Sequence, residues 1–280
     1  MVKKHGFAGF PFFKNFRPAF SAFSATCIGA SHLKEGKPCQ DYSACWVSAN
    51  NDQSGFAIAA VADGHGGEPH FRSDRGAVFA VETAIERIKE FVMFNNSSLC
   101  EADQYLIMLE KSIIVSWHEK IANDARSDPL DGDLHSPYGT TLIATALTKH
   151  YWFAIQIGDG KCVVFNNDKS ISQPVTWDER CFLNRTTSLC DEKASGMFRH
   201  FYSEETPLAI FLGSDGIDDT FPMNENEKHL GSFYQSIFDN FVEEGLKKGE
   251  KQMKQMLPLF TKKGSGDDVS IAGIIRGIKW

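Results

Sequence analysis

Four apolar runs in this chain end or begin at an aspartate that adjoins glycine: Asp63-Gly64, Asp159-Gly160, Asp215-Gly216 and Gly266-Asp267-Asp268. Taken singly, Asp-Gly at a strand end is a turn, because Asp bonds its own backbone and Gly accepts positive φ. Four of them beside apolar strands imply strand ends that converge at one rim of a sheet, bringing several carboxylates together. Like charges that close raise one another's pKa unless a cation neutralises them, so the cluster implies metal. The donors are all oxygen, and no Cys or His group stands at zinc spacing, which selects a hard ion such as Mg²⁺ or Mn²⁺.

The segments between these motifs read as strands and long helices. Gly55 to Ala62 is a short apolar run feeding the Asp63-Gly64 turn, as a buried strand should. From Asp74 to Met93, apolar residues such as Ala77, Val81, Ala84, Ile88 and Val92 recur at three- and four-residue steps, which places them on one helical face. Tyr105, Leu109, Ile113, Trp117 and Ile121 repeat at steps of four, so a second amphipathic helix follows. Tyr138 to Thr148, Trp152 to Ile157 and Cys162 to Phe165 are joined by the short links 149–151 and 158–161, a spacing that predicts antiparallel hairpins. Residues 168–206 read as polar and irregular. Pro207 to Leu212 predicts a buried strand, a Lys-rich helical region covers residues 230–262, and Val269 to Ile275 closes as a strand.

A net charge of -7 argues against nucleic acid as the main partner, because phosphate backbones need clustered Lys and Arg. With 42% hydrophobic and 23% charged residues among 280, the chain is expected to be soluble and to bury a sizeable core. Seven cysteines without a C-x-x-C pair fit a reduced, cytoplasmic protein. No uninterrupted apolar signal segment or bilayer-length apolar run is present, so no membrane association is expected. Residues 1–23 hold Phe7, Phe10, Phe12, Phe13, Phe16, Phe20 and Phe23 among glycines and prolines. They match neither a helical nor a strand period and read as an irregular arm, packed on its own domain or on a partner. Residues 24–280 are expected to form one domain.

Five segments in order, Asp63-Gly64-His65-Gly66-Gly67, Gly139-Thr140-Thr141, Ile157-Gly158-Asp159-Gly160, Ser214-Asp215-Gly216-Ile217-Asp218-Asp219 and Asp267-Asp268-Val269-Ser270, resemble the successive motifs of the PP2C (PPM) protein serine/threonine phosphatases. The resemblance runs from about Gly29 to Ile275 and is closest to the short bacterial members, with Ser31-His32 and Gly36-Lys37-Pro38-Cys39-Gln40-Asp41 as the opening motif. It implies an α+β fold, a four-layer α-β-β-α sandwich with two packed antiparallel sheets flanked by helices. It implies Mn²⁺ or Mg²⁺, two ions in the core site with room for a third. Asp63 would bridge the pair, the Gly64 carbonyl would ligate one ion, Asp215 and Asp267 would complete the sites, and Asp41 would hold metal-bound water. Asp159 and Asp219, with Asp215, would form the third position. His65 would protonate the leaving seryl or threonyl oxygen after attack by a metal-bridging water or hydroxide, without a phosphoenzyme. A histidine beside so many carboxylates is expected to have a raised pKa suited to that role. The implied partners are a phosphorylated protein substrate and a cognate Ser/Thr kinase, and a monomer is expected.

The sequence departs from the pattern in two respects, one of them Asp218 before Asp219 where many relatives carry an aromatic or apolar residue. Many family members place an arginine shortly before the position of Asp41 to clamp phosphate, and none stands there. Lys34, Lys37 and His32 are the candidate substitutes, each without the planar fork of arginine. The segment between Phe165 and Pro207, with Arg180, Arg185 and Arg199, reads either as a substrate-reading flap or as a loop with its own small core. Two rival readings are a non-catalytic module of the same fold that binds or regulates a phosphoprotein or kinase, and a hydrolase of another phosphoester. The retained aspartates disfavour the first, and the lack of a G-x-x-x-x-G-K loop disfavours the second.

Overall fold

The computed structural model describes residues 19–49, 55–95, 98–182, 185–222 and 224–277. Phe7 to Phe16 of the expected arm lie outside the described residues. Phe20 and Phe23 do not belong to an arm: strand β1 (Phe20–Cys27) pairs along its whole length with β10 (Val269–Arg276), from Phe20 opposite Arg276 to Cys27 opposite Val269. Phe20 and Ala22 face one apolar layer and Phe23 and Ala25 the other, a two-residue period masked in the sequence by the phenylalanines before it.

Between these ends run α1 (Ala30–Glu35), β2 (Asp41–Val47), β3 (Ala57–Asp63), α2 (Ser73–Phe94), α3 (Ala102–Ser127), β4 (Leu142–Leu147), β5 (Trp152–Ile157), β6 (Lys161–Phe165), β7 (Ile171–Ser172), β8 (Arg199–Ser203), β9 (Ala209–Gly213), α4 (Asp215–Asp218), α5 (Asn226–Glu244) and α6 (Leu246–Lys263). They build two antiparallel sheets, ordered β1-β10-β9-β6-β7 and β2-β3-β4-β5-β8. Three apolar layers hold the four-layer sandwich together. Ile58, Ala60 and Ala62 of β3 pack with α2 and α3, Ala57, Ala59 and Val61 face the other sheet, and Phe211 and Ile271 lie under α5 and α6. Strands covered on both faces explain why these segments read as continuous apolar runs rather than alternating ones.

The link 149–151 makes the expected hairpin, with Leu147 opposite Trp152. The link 158–161 does not. Gly158, at φ 103°, turns the chain out of one sheet and into the other, where Lys161 pairs with Gly213. Residues 168–206 also hold β8, an edge strand paired with β5 from Trp152 opposite Ser203 to Gln156 opposite Arg199. All of β8 is half-buried, which leaves no apolar alternation to read. The Lys-rich region is two helices broken at Gly245, whose φ of 82° a β-carbon would strain. All seven cysteines are free thiols.

Candidate metal centre and cleft

Alternation along β3 puts Asp63 on the same face as Ala57, Ala59 and Val61, so its carboxylate lies at the rim of the layer between the sheets. Antiparallel pairing sets Asp41, the first residue of β2, directly opposite it. From the other sheet, β9 ends at Gly213, and Ser214 leads into Asp215, the first residue of α4. Asp267 and Asp268 immediately precede β10, and Asp159 lies in the β5–β6 crossover. A cavity of about 720 Å³ opens where these ends meet, lined by Asp63, Gly64, His65, Asp159, Asp215 and Asp267 among others.

Backbone contacts lock the rim. The Thr141 amide donates to the Asp63 carbonyl at 2.8 Å, the Asp63 amide donates to Thr141 Oγ1 at 3.0 Å, and Thr140 Oγ1 donates to the same Asp63 carbonyl at 2.9 Å. The Gly139-Thr140-Thr141 segment therefore holds the aspartate-bearing strand end in place. Asp268, only 3% exposed, accepts from the Gly29 amide at 2.5 Å and the Gln40 amide at 2.6 Å, with His32 Nδ1 3.1 Å from its Oδ1. It ties the start of α1 and the approach to Asp41 to the start of β10. The glycines after the aspartates serve close approach rather than positive φ. A β-carbon on Gly216 would stand 2.0 Å from the Asp268 carbonyl oxygen, and one on Gly64 would stand 2.7 Å from those of Gln40 and Ser73.

The electrostatics are those of a crowded acid cluster. Burial pushes the Asp63 carboxyl well above the usual range, helped by Asp215 and Asp41. Burial pushes Asp215 up to about 7, with Asp159, Asp219 and Asp267 adding to it. Asp41 is raised by the same cause, and its Oδ2 is buried without a hydrogen-bond partner among the described residues. Burial raises Asp159 as well, although Thr186 close to it acts to lower it. A set of acceptor-only oxygens, one of them orphaned, fits a hard divalent cation.

A sequence profile described as Protein phosphatase 2C matches residues 28–258. The chain belongs to the protein phosphatase 2C family. It is 24% identical over 244 residues to serine/threonine-protein phosphatase 3 of Escherichia coli strain K12, covering 84% of this chain and 86% of that protein. Its fold is similar to that of serine/threonine phosphatase Stp1 from Staphylococcus aureus, with TM-score 0.58 and 17% identity over 98% of this chain and 99% of that one. It is also similar to the catalytic domain of the serine/threonine protein phosphatase PstP, solved with two manganese ions, with TM-score 0.56 and 15% identity over 91% of this chain and 97% of that one. This chain is thus a phosphatase-family enzyme with the family's two-sheet sandwich. No described helix is long and apolar enough to cross a membrane.

Not every residue singled out in this phosphatase's sequence reaches the cleft wall. Asp63, Gly64, His65, Asp159, Asp215, Asp267 and His32 line it. Asp41 stands opposite Asp63 and does not line the cavity, with Ser214 beside it lowering its pKa, and Asp219 is exposed one turn after Asp215, its amide on the Asp215 carbonyl at 2.8 Å. Asp218 turns to Lys161 at 3.3 Å. Lys34 and Lys37 lie outside the cleft, on the solvent side of α1, and Lys37 pairs with Glu35 at 2.6 Å. A short helix with no buried residue leaves its long side chains in water. His65 also differs from expectation: burial and the neighbouring His70, 5.1 Å away ring to ring, push its pKa down to about 4. Desolvation of the imidazolium is the larger of these two causes. Arg180, Arg185, Thr186 and Thr187 line the same cavity, and their separation in sequence from the metal motifs concealed their place.

Proposed function

We propose that this phosphatase hydrolyses phosphoserine and phosphothreonine on protein substrates in a metal-dependent reaction without a phosphoenzyme. The observation that carries the reading is the convergence of Asp63, Asp215 and Asp41 at one rim, with desolvation and neighbouring carboxylates raising each of their pKa values, a repulsion that a bound cation would relieve. Asp63, the Gly64 carbonyl, Asp215 and Asp267 would hold two ions, Asp41 would orient what they carry, and Asp159 and Asp219 would serve a third. Bound Mn²⁺ or Mg²⁺ supplies charge neutralisation for the phosphoryl group and activation of water. His65, whose amide donates to the Gly139 carbonyl at 3.0 Å, would serve as proton donor to the leaving alkoxide, a role that requires it first to take up a proton, because burial keeps it neutral. A phosphorylated protein is the partner of this reading, a Ser/Thr kinase its counterpart, and a cytoplasmic monomer its setting.

The test is hydrolysis of a phosphothreonine peptide and of p-nitrophenyl phosphate with Mn²⁺, Mg²⁺ or EDTA, beside Asp63→Ala and Asp215→Ala. Turnover is expected only with metal and only with both aspartates. Metal-independent turnover, or turnover untouched by both substitutions, would sink the mechanism, and metal binding without any turnover would favour a binding-only module.

A further inference from the structure

The cavity that the aspartates line is also lined by two arginines, one paired with a carboxylate and one not. Arg180 is engaged. Its Nε and Nη2 donate to the two carboxylate oxygens of Asp178 at 2.7 and 3.0 Å, and Nη2 also donates to the Met197 carbonyl at 2.9 Å. Asp178 is buried and also accepts from Thr187 Oγ1 at 3.0 Å, so its charge and that of Arg180 largely cancel. Arg185 is free: its guanidinium has no hydrogen bond or ion pair with any described side chain, while its backbone pairs with Phe182 in both directions at 2.9 and 3.1 Å.

The backbone that carries Arg185 is tied to the metal side of the cleft. Thr186 lies close enough to Asp159 to lower its pKa, and Thr187 Oγ1 accepts from the Gly158 amide at 3.0 Å. The Ser188 hydroxyl donates to the Thr140 carbonyl at 3.1 Å, and the Leu189 amide donates to the same oxygen at 2.9 Å. Residues 186–189 are thereby fastened both to the crossover loop bearing Asp159 and to the segment that fixes Asp63. Arg185 is exposed and lines the same cavity as Asp63 and Asp215, and its five donors in a planar fork match an oxyanion. Lys34 and Lys37 are absent from the cavity lining, and His32, which lines it, has Nδ1 3.1 Å from the Asp268 carboxylate.

We propose that Arg185 is the residue of this cleft that binds an anionic group of the substrate, either the phosphoryl oxygens or a carboxylate flanking the phosphorylated residue. The proposal rests on the phosphatase reading above. Its test compares wild type with Arg185→Ala and Arg185→Lys in the presence of Mn²⁺, on p-nitrophenyl phosphate, on a neutral phosphothreonine peptide and on one with flanking Asp and Glu. In parallel, calorimetry measures binding of a phosphonate analogue of each peptide, which keeps the charge but is not hydrolysed. Loss of one bidentate charged contact is expected to raise KM and weaken analogue binding about 10- to 100-fold in Arg185→Ala, with Arg185→Lys intermediate and kcat changed less than KM. Losses on all three substrates assign the phosphoryl group, and losses confined to the acidic peptide assign the flanking carboxylate. Unchanged KM and unchanged analogue binding in Arg185→Ala would overturn the proposal. If wild type binds the analogues but turns over nothing, the catalytic reading fails, while the Arg185 dependence of binding still decides this one. Metal-dependent unfolding of both variants, expected to match wild type, separates a lost contact from a damaged cleft.

Discussion

Asp41, only 6% exposed, stands directly opposite Asp63 in the β2–β3 register, so the two carboxylates share the rim of the space between the sheets. Burial raises the pKa of both, and Asp215 adds to each, with Asp41 adding further at Asp63. Asp41→Asn is therefore expected to stabilise the metal-free protein, at about 2–4 °C of melting temperature per kcal/mol gained for a domain of this size. It should also weaken Mn²⁺ binding about 10- to 100-fold, as loss of a residue that orients the metal ligands does. Differential scanning calorimetry in EDTA and with a Mn²⁺ series checks both signs. Wild type should gain stability with metal, and a variant that neither melts higher in EDTA nor responds less to Mn²⁺ would contradict this reading of the pair.

Gly216 has room for hydrogen only, since a β-carbon would stand 2.0 Å from the Asp268 carbonyl oxygen. Gly216→Ala must push α4 away from the start of β10 and so separate Asp215 from Asp267. A cost of about 1–3 kcal/mol in urea denaturation is expected, the range for overpacking, together with loss of most metal-dependent stabilisation. Gly66→Ala, where a β-carbon meets nothing within 4 Å, is the control and should leave both measurements near wild type.

His65 sits beside the aspartates but is kept neutral by burial. If it delivers the proton to the leaving group, His65→Ala should lower kcat about 10²- to 10⁴-fold for a phosphothreonine peptide, the range of general acid catalysis. For p-nitrophenyl phosphate, whose leaving phenolate needs no proton, the loss should be much smaller. Steady-state kinetics on the two substrates checks the ratio, and equal losses would remove the proton-donor role.

A pH dependence is built in away from the cleft. His200 on β8 pairs with the buried Glu110 on α3 at 2.8 Å, with Asp103 3.5 Å from its other ring nitrogen. The hydrogen bond to Glu110 is the main cause that holds the His200 pKa above its ordinary value. A histidine raised in the folded state stabilises fully below its unfolded pKa, about 6.5, and the contribution is lost as pH rises through the folded pKa. Denaturation of wild type should therefore show stability declining from pH 6 towards pH 8. Glu110→Gln should flatten that slope, and the His200 ring resonances in NMR should titrate at lower pH in the variant.

The sequence by itself determined the sandwich's ingredients and the acidic half of the site. Runs such as 57–62 and 209–212 are apolar on both faces, which only a strand covered on both sides tolerates, and the five motifs announced the family through short spacings that a linear reading registers. The helices α2 and α3 were legible for a similar reason, because local periodicity sets the buried face. Tertiary structure decided what depends on distant contacts. Whether residues 158–161 close a hairpin or cross between sheets depends on β6 finding β9, and whether Phe20 and Phe23 are arm or strand depends on β10, at the other end of the chain. Burial, which no local pattern reports, moved the His65 pKa in the opposite direction from its carboxylate neighbours. The same holds for the arginines of the cavity: Arg180 and Arg185 resemble any other loop arginines until the Asp178 carboxylate engages one and the bond of Thr187 to the Gly158 amide fastens the segment after the other to the crossover loop.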